Sequence, residues 1–156
     1  MLNIIIFLIM SLIYNGYIIS KYGIPVSLSE TSYLLGGNRR YFFTLYCYIT
    51  AFLIIPVLIS TVPETLVFLP FLMCSGLLFA GASPLFKTGT SKPVHYIFSL
   101  ISFICYIFFM IFVMGWQWLL AFGILFISLC IWKKECFVYF AEILTFLFIS
   151  IFIILP

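Results

Sequence analysis

The stretch His95–Trp132, HYIFSLISFICYIFFMIFVMGWQWLLAFGILFISLCIW, decides how this chain folds. Read without a break it is one apolar run of about 38 residues, roughly 57 Å as a helix at 1.5 Å per residue and far longer than a bilayer is thick. It must fold back. The place is Met114-Gly-Trp-Gln-Trp118, where a glycine sits among interface-seeking tryptophans, the composition of a short hairpin between two spans. Spans 95–114 and 117–132 then join four others, 2–20, 41–61, 65–84 and 136–156, each near the roughly 20 mainly apolar residues that a crossing needs. The whole composition agrees. Of 156 residues, 66% are hydrophobic and 7% charged, and the mean hydropathy is +1.35, whereas a soluble globule carries about a quarter charged residues. The expected fold is all-α, a polytopic membrane helix bundle of six transmembrane helices. With no internal repeat, low-complexity tract or linker, residues 1–156 form a single transmembrane domain.

Charge gives the topology. Lys21, Arg39 and Arg40 fall in the first loop, Lys87 and Lys92 in the third, and Lys133 and Lys134 in the fifth, so with six spans every cation lies on one side. The second and fourth loops and both termini carry no Lys or Arg. The positive-inside rule then puts the odd loops in the cytoplasm and both termini outside a cytoplasmic (inner) membrane. A five-span count moves Lys133 and Lys134 to the other side and ranks second. The first apolar run lacks a basic segment before it and a small-x-small cleavage site after it, so it reads as a retained helix. Seven cations and no basic face exclude a nucleic-acid module. Five cysteines without a CxxC, four of them inside apolar runs, read as small buried hydrophobes.

Local signals refine the bundle. In the first loop, Ser27 and Glu30 match a capping box and Gly36-Gly37 supplies a stop, which predicts a short interfacial helix near 28–35 lying against the cytoplasmic surface. In the second, Thr61 is expected to cap, Pro63 to occupy the first helical position and Glu64 to sit at the positive dipole end of the third span. Pro56 and Pro70 lie inside spans two and three, where each removes a backbone hydrogen bond and kinks its helix. Gly76, Ala80 and Ser83, with Gly81 and Ala82, form a small-residue ridge that places the third span centrally.

Lipid-facing positions should not be polar, so polar stripes mark the interior. His95, Ser99, Ser102 and Tyr106 recur at helical spacing, as do Tyr139, Glu142 and Thr145, Ser11 and Asn15, and Thr44, Cys47, Tyr48 and Ala51. Span five has only Ser128 as a hydroxyl and is placed at the periphery. Glu142 lies about eight residues, roughly 12 Å, beyond Lys134, and Asn15 about 9 Å before Lys21, so the strongest polar groups share the cytoplasmic third. An unpaired carboxylate at that depth costs a few kcal/mol. Glu142 should therefore face the bundle, with His95 the expected partner and Asn15, Tyr139 and Tyr48 as further candidates. The ligand-binding set so read is Glu142, His95, Asn15, Ser99, Tyr139 and Tyr48.

No metal or cofactor is expected, since one His and no Asp leave few ways to assemble a zinc site. There is no G-x-S-x-G, Gly-rich phosphate loop or H-E-x-x-H. Pro25-Val-Ser-Leu-Ser-Glu-Thr-Ser-Tyr33, Gly76-Leu-Leu-Phe-Ala-Gly-Ala-Ser-Pro84 and Val94-His-Tyr96 together resemble an uncharacterised group of small integral membrane proteins of Bacteroides-type bacteria and their phages. More remotely, six short spans with polar groups near the cytoplasmic surface look like the Frag1/DRAM and ceramidase-type membrane families. The latter resemblance implies a Ser, an Asp and three His around zinc; with Asp missing and His95 alone it extends to architecture and not to that catalysis. The expected function is binding or transport of a lipid or small metabolite in a small polar cavity near the cytoplasmic leaflet. A lipid-modifying hydrolase in the same cavity and an accessory or structural membrane subunit are the alternatives. Membrane lipids are the expected partners, and a homodimer or larger complex with a shared cavity stays open.

Overall fold

In the computed structural model, which describes residues 2–84, 87 and 91–155, the apolar runs are helical. α1 spans Leu2–Tyr22, α2 Thr31–Leu35, α3 Tyr41–Thr61, α4 Phe68–Ala82, α5 Ser91–Phe109, α6 Trp116–Trp132 and α7 Phe137–Ile154, with no strand among the described residues. A helix satisfies its own backbone, which is what a segment surrounded by hydrocarbon requires. Five helical stretches, Leu2–Tyr22, Gly37–Thr61, Glu64–Ala82, Ser91–Met114 and Lys134–Ile154, are long and apolar enough to cross a membrane; α6 is shorter, at 17 residues. The last span was expected to reach 156, but α7 ends at Ile154 and Pro156 lies outside the described residues. Large apolar side chains such as Leu12, Phe52, Ile124 and Ile131 point outward, the pattern expected of helices that face lipid.

The fold-back occurs at the expected glycine. α5 continues through a π-helical turn, Met110–Met114, and Gly115 reverses the chain at φ +100°. A side chain is strained there, so glycine is the residue that permits a sharp turn. From this far end α6 returns about 26 Å at 1.5 Å per residue. It packs on α7 and on the π turn, and Phe122 is its one buried residue.

α4 sits between α3 and α5. Two glycines on different faces let it do so: a Cβ on Gly76 would lie 2.6 Å from the Phe98 carbonyl oxygen of α5, and one on Gly81 would lie 2.6 Å from the Cys47 Cβ of α3. Side chains stitch the same seams. Ser102 donates to the Met73 carbonyl (2.8 Å), and Thr44 to the Gly81 carbonyl (2.7 Å) at the open last turn of α4. α1 packs on α3 and α7, and an aromatic seam of Tyr106, Phe109, Trp118, Phe122, Phe148 and Phe152 ties α5, α6 and α7 together.

The first, third and fifth loops meet at one end. Ser32 Oγ lies 2.6 Å from the Pro84 carbonyl oxygen, Tyr139 donates its N–H to Val26 O (3.1 Å), and Cys136 donates to Ile24 O (3.6 Å). All seven cations therefore gather at that end. Three local expectations are corrected here. The helix in loop one is shorter than 28–35 and does not lie on the surface: Leu28, Ser29, Thr31, Ser32 and Leu35 are buried in the end of the bundle. Thr61 bonds back to Leu58 O (2.9 Å) instead of capping α4, which starts only at Phe68. That start leaves Pro70 in the first turn, where no helical hydrogen bond is due from its nitrogen, so it breaks none. Pro56 does lie inside α3.

Candidate functional site

A cavity of about 110 Å³ lies among α3, α4, α5 and α7, with Leu28 and Ser29 of loop one at its end. Its size is comparable to the roughly 150 Å³ engineered cavity that accepts benzene. The polar stripe of α5 lies in its wall: His95, Ser99, Ser102 and Tyr106 all line it, opposite Glu142 and Thr145 of α7, with Cys47, Thr50 and Ala51 contributed by α3. The helical spacing that aligned these residues in the sequence thus aligns them on one surface.

Glu142 does two things at once. It lines the cavity, and its Oε2 accepts the Leu28 N–H at 2.6 Å, so that the acid of α7 holds loop one in place. His95 was the partner expected for this carboxylate. Its Nδ1 instead lies 3.0 Å from Ala80 O and so donates to the open C-terminal turn of α4, while the ring stays in the cavity wall. Ser99 lines the cavity close by on the same helix face.

The other three candidates stand outside the wall. Tyr139 donates to Asn15 Oδ1 (2.9 Å), and Asn15 Nδ2 donates to Ser11 O (2.9 Å), which closes a polar clasp between α1 and α7 beside the cavity. Tyr48 is 36% exposed and faces away from the cavity that its neighbours Cys47 and Ala51 line.

Loop one is polar and yet buried because its hydroxyls are satisfied in pairs. Ser27 Oγ accepts the Glu30 N–H (3.2 Å), which is one half of the expected capping box. The Glu30 carboxylate does not complete the box; it pairs with Lys87 Nζ at 2.6 Å. Thr31 donates to Leu28 O (2.6 Å), which leaves its oxygen to accept the Tyr14 hydroxyl at 2.5 Å. The loop is thereby bound to α1, to α7 and to loop three.

Two groups in the wall lack such partners. The Thr50 and Tyr106 hydroxyls, on α3 and α5, are fully buried and make no hydrogen bond among the described residues. A buried polar group left unpaired costs about 1–3 kcal/mol, and each such group in a folded protein needs an explanation. Thr50 was not singled out in the sequence, although it stands three residues after Cys47 in the α3 stripe. Among the described residues no three His, Cys or Glu side chains converge as metal ligands would, and all five cysteines are free.

No protein-family model, curated protein or solved structure matches the chain.

Proposed function

We propose that this chain is a six-crossing protein of the cytoplasmic membrane that binds a small metabolite, or the end of a lipid chain, in the cavity among α3, α4, α5 and α7. Both termini are outside, and loop one closes the cavity on the cytoplasmic side. The convergence of loops one, three and five at one end supports that topology, because it brings every cation to the face where the positive-inside rule wants it. The observation that carries the binding reading is the cavity itself. It has a mainly apolar wall, a carboxylate and an imidazole at the loop-one end, and two buried hydroxyls without partners among the described residues. Ligand sites are concave and mainly apolar, with a few placed polar groups. A short apolar group suits the wall between Ile54 and Phe103 in a cavity of this size, and a hydroxyl, amide or amine suits the donors and acceptors. Glu142 links site to closure, since a ligand group that displaces the Leu28 N–H from its carboxylate would also release loop one.

The test is ligand content. Protein purified in mild detergent is extracted and its bound small molecules are identified by mass spectrometry, alongside Glu142→Gln and a cavity-filling Ser99→Phe variant. The reading expects a stoichiometric molecule in the parent, lost in Ser99→Phe and reduced in Glu142→Gln, with both variants folded by circular dichroism. Equal content in all three overturns it.

A further inference from the structure

A second concave surface lies on the outside of the bundle, independent of the cavity. α1 and α3 enclose a groove of about 800 Å³, walled by apolar residues such as Ile6, Ile9 and Leu45, with Arg39 and Tyr17 among its lining residues. We propose that this groove is a docking site for one anionic phospholipid of the cytoplasmic leaflet, its acyl chain along α1 and its phosphate at Arg39.

Length, charge and composition each point to that occupant. From Tyr17 to Ile6 the groove follows α1 for about 11 residues, roughly 17 Å, which matches one leaflet of a hydrocarbon core about 30 Å thick. The polar end is cationic. Arg39 is exposed and makes no ion pair among the described residues, and Lys21 donates to the hydroxyl of Tyr17, another lining residue, at 3.3 Å. The neighbouring Arg40 is differently engaged, stacked on the Tyr41 ring with its guanidinium 5.1 Å from the centroid. No carboxylate lines the groove. A guanidinium at headgroup depth with no acid to neutralise it suits a phosphate, which it can bind through two parallel hydrogen bonds. A second copy of the chain suits it less. Two copies in one membrane share an orientation, so a two-fold contact through this groove sets the two cationic ends side by side.

The experiment is competitive retention. Protein in micelles doped with equal amounts of phosphatidylglycerol and phosphatidylcholine is released into the gas phase and its bound lipids are counted by native mass spectrometry. The expected result is one retained phosphatidylglycerol per chain, favoured over phosphatidylcholine by about fivefold for each cation at the headgroup. Arg39→Gln should cut that preference about fivefold, and Arg40→Gln should keep it. Ile9→Trp, which obstructs the groove with Arg39 intact, should lose the lipid altogether. Equal retention of the two lipids, or an Arg39→Gln variant that retains phosphatidylglycerol like the parent, overturns the proposal. So does a parent dimer that Ile9→Trp separates, which would show a second copy in the groove. Because none of the three substitutions touches the cavity, loss of this lipid with cavity content unchanged separates the two sites.

Discussion

Replacing Gly76 by alanine puts a methyl group where α4 and α5 touch. The new Cβ would stand 2.6 Å from the Phe98 carbonyl oxygen and 2.7 Å from the Ser102 Cβ, against about 3.5–4.0 Å for carbon atoms in unstrained contact. Neither obstacle is the tip of a flexible side chain, so no rotamer change clears it, and the two helices must part by about 1 Å. Overpacking of this kind costs about 1–3 kcal/mol. The 2.8 Å Ser102–Met73 hydrogen bond crosses the same seam and stretches with it, which adds up to about 1 kcal/mol. Alanine's better helix propensity offsets about 1 kcal/mol, so the net loss is up to about 3 kcal/mol. Gly123 on α6 is the control, because a Cβ there meets nothing within 4 Å. Unfolding in mixed dodecyl maltoside and sodium dodecyl sulfate micelles, followed by circular dichroism, should rank Gly123→Ala at or above the parent and Gly76→Ala below it by that margin. Equal midpoints for the two variants would refute the close approach of α4 and α5. Since Gly76 and Ser102 also line the cavity, the same variant should alter its ligand content.

Three other outcomes are expected. Glu142→Ala removes the acceptor of the Leu28 N–H, worth about 1–3 kcal/mol, so hydrogen exchange at that amide should quicken by about tenfold to a hundredfold; an unchanged rate would mean that the bonds to Pro84 and Tyr139 suffice to hold loop one. Gly115→Ala forces an L side chain to φ +100° against the Gln117 side chain, and should lower the unfolding free energy in micelles by about 1–3 kcal/mol, a value of zero disproving the strained hairpin. Thr50→Val deletes a buried hydroxyl that has no partner among the described residues, and should leave stability unchanged or raise it by up to about 1 kcal/mol while lowering ligand content; a loss of stability would mean that the hydroxyl is already satisfied.

The helices were legible because hydrocarbon imposes a length and a period. Tyr41–Thr61 begins and ends where its apolar run does, Gly115 turns where a long run had to turn, and the α5 stripe from His95 to Tyr106 lies in one wall. What could not be read was where each polar group finds its partner. Asn15, Tyr139 and Tyr48 share the spacing and depth of the cavity residues, yet two of them pair with each other and the third turns outward, a choice made by helix rotation and not by pattern. Loop one misled for a related reason. Its run of Ser, Glu and Thr looks like surface, but local hydroxyl bonds satisfy it well enough for burial, and the decisive contact, Leu28 to Glu142, spans almost the whole chain. Pro70 reads as a kink only if α4 is taken to begin before Phe68.

That Leu28–Glu142 contact also bears on how the molecule is made. The first loop leaves the ribosome early, whereas its anchor on the last helix is translated about 114 residues later, a wait of roughly 6–23 s at 5–20 residues per second. For that interval the Leu28 N–H has no acceptor on α7, so the first loop takes its final place only after the last helix has been made.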